Sequence, residues 1–207
     1  IIQRDVNVQA VTIAAQSIQA ICDKLRFPRF SKHYVTIVFA PLLERTKEKK
    51  PSVIESIRSA LGSLCRCYSP LGSETNSEDM LQEILQFMKH KIPQVRMEST
   101  SLFTFVLREL PVSKNVVEKY LEADITPAVI RIVNDTQPTI RNVGFECFAE
   151  LLRVMSRDQY LCGALEKLDN LKRKKIQECC DKLPKSSPQF QSTDSRRKDE
   201  SRERNVN

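Results

Sequence analysis

The chain has 207 residues, with 33 lysines and arginines against 26 aspartates and glutamates, which gives a formal net charge of +7. It contains only 4 glycines and no tryptophan, and 41% of its residues are hydrophobic. This composition favours long, surface-charged helices and disfavours a glycine-rich sandwich, a dinucleotide-binding fold or a collagen-like rod. The positive charge is compatible with an acidic partner, either nucleic acid or protein, and does not choose between them.

The seven cysteines predict free thiols in a reducing, cytosolic compartment, because their number is odd and none stands in a CxxC pair. The longest apolar run covers residues 35–43. Since a bilayer-spanning helix needs about 20 residues, we expect no membrane span and no membrane partner. The chain opens with IIQRD, without an initiator Met or a signal peptide, and this predicts a truncation point inside a longer protein.

Apolar residues recur at spacings of three and four, which predicts amphipathic helices. The main stretches cover residues 11–25, 53–64, 80–88 and 102–110. Asn76 or Ser77 is predicted to cap the third of these helices, and Ser113 a later one. No stretch alternates with a sustained period of two, so we predict no β-strand.

The end of the chain differs in composition from the rest. From Pro184 onward it is polar, with six lysines and arginines against four acidic residues. Such a segment cannot bury enough apolar surface to offset its ordering entropy. We therefore predict a folded domain over residues 1–183 and a disordered, mildly basic linker over residues 184–207.

A short polar segment ending in an aliphatic residue opens every second predicted helix, and three of its four copies contain proline. The aligned aliphatic residues are Val8, Val53, Val95 and Ile140, at intervals of 45, 42 and 45 residues. A period of about 40–47 residues built from two helices is typical of HEAT and armadillo repeats. Proline suits the first turn of a helix because its missing N–H would have no partner there. We predict an all-α solenoid of HEAT repeats, paired antiparallel helices in about four and a half units.

One repeat carries a polar pair typical of this repeat class. Asp135 stands six residues before Arg141, as in HEAT repeats where the acid of one turn bonds its neighbour's backbone and arginine. The other repeats depart from the pattern, since Arg96 follows His90 and Ile54 occupies the arginine position. Arg141 therefore has a structural alternative in pairing with Asp135, and Arg96 has the alternative of a surface residue without a partner.

Stacked hairpins display the turns within them along one long edge, and such an edge suits a large partner. The predicted binding residues are the polar and mostly basic side chains of these turns together with neighbouring aliphatics: Asp5, Val6, Asn7, Val8, Lys47, Lys49, Lys50, Lys91, Gln94, Arg96, Thr136, Gln137, Arg141 and Asn142. Each lysine could instead belong to a solvated turn. Their joint occurrence at equivalent repeat positions favours recognition of an acidic surface. The stripe of Phe145, Phe148 and Leu152 is predicted to be packed core.

Sequence motifs for catalysis are absent. We find no phosphate-binding loop, nucleophile elbow or HExxH motif. His33, predicted in a turn, and His90, predicted at a basic helix end, are interpreted as solvated or capping imidazoles, because a metal site would need further converging ligands. We therefore predict a protein that is not an enzyme and that has no cofactor and no metal.

The residues resemble TOG domains, the tubulin-binding HEAT arrays of microtubule polymerases such as ch-TOG and Minispindles. The similarity covers about residues 4–180. It includes AspValAsnValGlnAlaVal from residue 5, LeuLeuGluArgThrLysGluLysLysProSerVal from residue 42, and LeuGluLysLeuAspAsnLeuLysArgLysLysIle at 165–176, which resembles the closing helix of the family. Many TOG domains have a tryptophan in the first turn, and its absence here implies that the first repeat is missing.

The resemblance implies a curved, unpolymerised αβ-tubulin heterodimer as ligand, delivered to microtubule plus ends. Residues 5–8 would then face β-tubulin, and the turns of Lys49, Arg96 and Arg141 would lie towards α-tubulin. It also implies a location in the cytoplasm on the cytoskeleton, at plus ends, the spindle and the spindle pole or centrosome. Spindle-pole or kinetochore proteins are further candidate partners.

Other functions stay open. A CLASP-type regulator of microtubule dynamics would have a similar array, and a generic HEAT scaffold would bind protein partners through another surface. Nucleic acid ranks lowest, because the turns lack the interleaved aromatic residues of single-strand binders. We expect no nucleic-acid partner.

Overall fold

A computed structural model of the protein describes residue 2 and residues 7–24, 32–68, 74–110, 114–156 and 158–184. The helices in chain order are α1 (Val8–Lys24), α2 (Lys32–Arg45), α3 (Pro51–Tyr68), α4 (Glu74–Met88), α5 (Pro93–Glu109), α6 (Lys114–Tyr120), α7 (Thr126–Val133), α8 (Pro138–Met155), α9 (Gln159–Glu166) and α10 (Asn170–Lys182). These ranges contain no β-strand, which confirms the predicted all-α class. None of their helices is both long enough and apolar enough to span a bilayer.

The helices form two layers. The second helices of the hairpins, α1, α3, α5, α8 and α10, pack against one another in chain order. The first helices α2, α4 and α7 each pack against the second helix that follows them. This arrangement confirms the predicted stack of antiparallel pairs, in which each hairpin buries its apolar face between its neighbours.

The proline-containing segments begin the second helices as the repeat predicts. Pro51, Pro93 and Pro138 are the first residues of α3, α5 and α8. The repeat anchors Val53, Val95 and Ile140 are buried, and Val8 packs partly buried against the same core. The repeat period therefore marks the inner face of each second helix.

The side chains expected to form the core do so. Phe145 and Phe148 are buried, and Leu152 is half-buried against the core. They lie on α8, which packs between α5 and α10. The stripe is therefore packing and not a ligand groove, as predicted.

Two predicted helix starts have different outcomes. Helix α6 begins at Lys114, as expected, while its predicted cap Ser113 lies outside the described residues. Helix α4 begins at Glu74, so the predicted start at Asn76 or Ser77 is wrong. The sequence places an acidic residue at position 74, and acidic residues are favoured in the first turn of a helix, so a start before the predicted cap is compatible with the sequence. Residues 69–73, predicted to be a loop, lie outside the described ranges.

Two further expectations are wrong. His33 lies within α2 and not in a turn. The segment 165–176 is not one closing helix, because α9 ends at Glu166 and α10 begins at Asn170. The break follows from Asp169, whose Oδ1 accepts a hydrogen bond from the Lys172 backbone N–H at 2.9 Å and so caps a new helix.

A π-helical turn, Leu121–Ile125, connects α6 to α7. Pro127 explains it, because a proline inside a helix has no N–H to donate and its ring clashes with the carbonyl one turn earlier. The wider turn accommodates the ring without ending the helix. The sequence pattern alone does not indicate this turn.

Candidate functional site

The turns within the hairpins lie along one edge of the stack, which we call the turn edge. They comprise residues 46–50, 89–92, 134–137 and 167–169, and Asn7 precedes α1 at the same edge. The stacked helices α3, α5, α8 and α10 all begin here, so their first turns are neighbours. The structure thus brings the described members of the predicted site to one edge.

The first part of the predicted site is only partly described. Asp5 and Val6 lie outside the described residues. Asn7 is exposed, and its Oδ1 accepts a hydrogen bond from the Gln9 backbone N–H at 2.9 Å. This bond satisfies one of the free N–H groups at the start of α1.

The turn at residues 46–50 carries both paired and unpaired cations. Lys47 Nζ lies 2.7 Å from Glu44 Oε1, and this hydrogen bond lowers the pKa of Glu44 below its ordinary value. Arg45 pairs with Glu48 at 3.1 Å. Lys49 and Lys50 are exposed, and neither forms a salt bridge within the described part of the chain.

His90 caps the next turn, which is one of the two roles expected for it. Its Nδ1 accepts a hydrogen bond from the Ile92 backbone N–H at 3.1 Å, and its Nε2 lies 3.1 Å from Glu44 Oε2. The ring also stacks on Phe87. Glu44 at the end of α2 is thereby joined to the turn of the following hairpin. Lys91, beside His90, is exposed.

Arg96 is not a surface residue without a partner, and that alternative is wrong. Its Nη1 donates to the carbonyl oxygens of His90 and Lys91, both at 3.0 Å. Its Nε and Nη2 lie 2.9 and 2.7 Å from Asp135 Oδ2. The two side chains are only 13% and 7% exposed, so this pair is well shielded from water.

Asp135 and Arg141 divide the expected pairing between side chain and backbone. Arg141 Nη1 donates to the backbone carbonyls of Asp135 and Thr136, at 3.0 and 2.9 Å. The Asp135 carboxylate instead accepts from Arg96 and from the Gln137 backbone N–H. Burial opposes ionisation of Asp135, but these hydrogen bonds outweigh burial and hold its pKa below the ordinary value.

The remaining predicted residues differ in their contacts. Gln94 Nε2 donates to Glu98 Oε1 at 2.8 Å, so this amide is already engaged. Thr136, Gln137 and Asn142 are exposed at the turn edge. These neutral side chains can donate and accept hydrogen bonds but contribute no charge.

A further link at the turn edge was not predicted. Lys172 Nζ lies 2.7 Å from Asn134 Oδ1 and 2.8 Å from Asp169 Oδ2. Each consecutive pair of turns from residue 44 onward is therefore joined by side chains: Glu44 with His90, Arg96 with Asp135, and Asn134 with Lys172. The links fix the turns relative to one another.

The acidic groups of the described part of the turn edge are all engaged by these contacts. Glu44, Glu48, Asp135 and Asp169 each have a basic partner within 3.1 Å. Among the predicted basic residues of the described turns, Lys49, Lys50 and Lys91 form no salt bridge. The turn edge therefore presents a positive potential on a fixed backbone.

The remaining potentially reactive side chains of the described ranges are the cysteines and the possible metal ligands. No cluster of three or more potential metal ligands occurs there. All seven cysteines are free thiols. Burial raises the pKa of Cys22 and of Cys147 to about 12, which leaves them protonated and unreactive at neutral pH.

Sequence relatives were found among centrosomal and spindle proteins. Centrosomal protein 224 of Dictyostelium discoideum is 29% identical over 84% of this chain, and Protein mini spindles of Drosophila melanogaster is 28% identical over 88%. Spindle pole body component alp14 of Schizosaccharomyces pombe is 30% identical over 84%. The chain spans 8% of the first two proteins and 20% of the third.

Two solved structures share the fold with clear sequence identity. The first concerns tubulin recruitment and assembly by microtubule polymerases with tumor overexpressed gene (TOG) domain arrays. It is 50% identical, with a TM-score of 0.76 over 88% of this chain and 36% of that one. The second concerns microtubule plus end tracking by XMAP215, CLIP-170 and EB1. It is 27% identical, with a TM-score of 0.73 over 89% of this chain and 72% of that one.

The model of the Tti2 family matches residues 6–196. The chain belongs to the Tti2 family and is a TOG domain. The resemblance inferred from the turn residues is thus confirmed, and the TOG domain described here is a helical scaffold that displays its turn edge.

Proposed function

We propose that this TOG domain binds unpolymerised, curved αβ-tubulin through its turn edge, as one module of a microtubule plus-end polymerase. The observation that carries the proposal is the linked row of turns with the exposed Lys49, Lys50 and Lys91, which form no salt bridge within the described ranges. The similar solved structure of TOG domain arrays, described as recruiting tubulin, supports tubulin as the partner.

The charge arrangement suits an acidic protein surface. The acids of the described turns are paired with other basic groups, and Lys49, Lys50 and Lys91 form no salt bridge within the described ranges, so they can meet carboxylates of the partner. Such complementarity raises the association rate and fixes the register of the complex. The exposed Thr136, Gln137 and Asn142 extend the same edge with hydrogen-bonding groups.

Arg96 and Arg141 have a different role in this proposal. Their guanidinium groups are occupied by turn carbonyls, and Arg96 is also bound to Asp135. They are positioning residues that hold the turns in shape for tubulin. Asp5 and Val6 stay predicted contacts, together with the exposed Asn7 and the partly buried Val8.

The experiment compares two exposed-lysine variants of the full chain. Replacing Lys49 and Lys50 together by alanine is expected to weaken the affinity for soluble αβ-tubulin about tenfold, which corresponds to about 1.4 kcal/mol. The matched control is Lys24→Ala, because Lys24 is exposed at the opposite end of α1. Affinity is measured by titrating fluorescently labelled GTP-tubulin at two salt concentrations.

The two salt concentrations add a second criterion. The wild-type affinity should fall at the higher salt, and the double variant should show a smaller fall, because exposed charge pairs are screened. Equal losses for the double variant and Lys24→Ala would contradict the proposed edge. Preference for DNA over tubulin would favour the nucleic-acid alternative.

The role of the whole protein is part of the proposal. Relatives with centrosomal, spindle and spindle-pole names support a non-catalytic module that works on the cytoskeleton at plus ends, the spindle and the spindle pole or centrosome. Spindle-pole or kinetochore proteins are proposed as further partners of the longer protein.

A further inference from the structure

The turn between α9 and α10 lies at the turn edge, but none of its residues is among the predicted binding residues. Residues 167–169 form this turn, and α10 starts at Asn170. We call its outward side chains Lys167, Leu171 and Lys174 the closing surface. All three side chains are exposed.

We propose that the closing surface is an additional contact for the same acidic protein partner, with Leu171 as its apolar anchor and with Lys167 and Lys174 as its cations. This inference rests on the proposed function, since it takes αβ-tubulin as the partner.

The closing surface lies at the next turn along the same edge. Lys172 Nζ binds Asn134 Oδ1 at 2.7 Å, so the first turn of α10 is tied to the turn that precedes α8. A partner that covers residues 134–137 would therefore meet the closing surface as its next contact along the same edge. The Asp169 cap fixes the backbone on which Leu171 stands.

Leu171 presents an exposed apolar surface. It is 79% exposed, the highest value among the large exposed hydrophobic residues described. Helix α10 packs on α8 through Ile176, with Cys179 and Cys180 against the same core. Leu171 thus packs little against the described residues, and its apolar surface would contribute free energy if a partner covered it.

The closing surface also carries positive charge. Asp169, the acid within the turn, is held by the backbone N–H and the ammonium of Lys172. Lys167 and Lys174 form no salt bridge within the described ranges. Lys174 lies three residues after Leu171 and so on the same face of α10. An exposed apolar side chain at a turn that also carries exposed cations fits an acidic surface with an apolar depression.

Because the backbone is already ordered, covering this surface requires little further loss of conformational entropy. The expected contact is therefore stronger than that of an isolated leucine on a mobile loop. It would extend the footprint of the partner beyond the turn at residues 134–137.

The test titrates labelled αβ-tubulin with the full chain carrying Leu171→Ser, Leu171→Met or the pair Lys167→Ala and Lys174→Ala. Leu171→Ser should weaken binding about tenfold, and Leu171→Met should retain the wild-type affinity because it keeps the apolar surface. The lysine pair should weaken binding several-fold at low salt and less at high salt.

The matched control is Ile21→Ser, because Ile21 is 48% exposed on α1 close to the opposite edge. It should leave the affinity unchanged, and thermal melting checks that every variant is folded. The inference is overturned if Leu171→Ser binds like the wild type while the Lys49 and Lys50 double variant is weakened, and the proposed function then stands. Equal weakening by Ile21→Ser also overturns it. Absence of tubulin binding by the wild type overturns both.

Discussion

Replacing Arg96 by alanine should destabilise the domain more than loss of an ordinary surface arginine. The substitution removes the contacts to Asp135 Oδ2 at 2.9 and 2.7 Å and the bonds to two turn carbonyls at 3.0 Å. Asp135 is only 7% exposed, so it would be left as a poorly solvated carboxylate. Breaking a buried ion pair costs about 3–5 kcal/mol.

The expected loss lies at the lower end of that range. The Asp135 carboxylate keeps the hydrogen bond from the Gln137 backbone N–H at 3.1 Å, which continues to stabilise its charge. We therefore expect Arg96→Ala to lower the free energy of unfolding by about 3 kcal/mol. For a domain of this size, that corresponds to a fall in Tm of about 6–12 °C.

Urea unfolding followed by circular dichroism measures this loss. In the Arg96→Ala background, Asp135→Asn should recover part of the stability, because it removes the uncompensated charge and keeps an acceptor for Gln137. In the wild-type background the same substitution should be destabilising. A loss below about 0.5 kcal/mol for Arg96→Ala, the usual range for surface substitutions, would show that the Arg96–Asp135 pair does not stabilise the domain as a buried ion pair.

The pH dependence gives an independent check. The pKa of Asp135 is lower in the folded domain than in the unfolded chain, where an aspartate titrates near about 3.9. Its contribution to stability is therefore complete above that pH and declines as the pH falls towards the folded pKa. Arg96→Ala should reduce this decline, and an unchanged acid profile would show that Arg96 does not stabilise the carboxylate.

Three further substitutions test packing and burial by the same urea assay. Arg58→Ala should cost about 1–3 kcal/mol, because Glu98 is 2% exposed and would lose a salt bridge of 2.6 Å while it keeps the hydrogen bond from Gln94, whereas Glu55→Ala should change stability by less than about 0.5 kcal/mol. Equal effects would argue against burial as the cause. Gly144→Ala should cost about 1–3 kcal/mol, because a Cβ there would lie 2.9 Å from a side-chain atom and 3.0 Å from a backbone nitrogen of α7. Gly163→Ala should instead stabilise by up to about 1 kcal/mol, since a Cβ in α9 meets nothing within 4 Å, and destabilisation there would contradict the open surroundings.

The architecture follows from the sequence because its signals are local. A proline and an aliphatic residue two positions later define the start of each second helix, as at Pro51 and Val53. The period then gives the stacking order without knowledge of any long-range contact. The turn edge and its exposed lysines follow from the same period.

The side-chain links between turns could not be predicted from the repeat period. Arg96 and Asp135 are 39 residues apart, and Lys172 and Asn134 are 38 apart, so no local spacing reports either pair. The sequence pattern predicts that Asp135 pairs with the nearby Arg141, but the Arg141 guanidinium contacts only the backbone of that turn.

Apolar spacing also fails to predict the turn at residues 167–169, for a different reason. Leu165, Leu168 and Leu171 continue a spacing of three across it, which is the pattern of one uninterrupted helix. Asp169, as a capping residue, was the available signal for a new start. Apolar periodicity alone does not distinguish a continuous helix from two helices joined by a short turn.

The side-chain links of the turn edge make the hairpins non-interchangeable. Each junction uses different chemistry: a carboxylate meets an imidazole, a guanidinium meets a carboxylate, and an amide meets an ammonium. If the hairpin of α4 and α5 were duplicated in tandem, Arg96 of the first copy would face His90 of the second instead of Asp135. The Arg96 guanidinium would then face an imidazole instead of a carboxylate, and its salt bridge would be lost. The side chains at the junctions therefore specify the order of the hairpins.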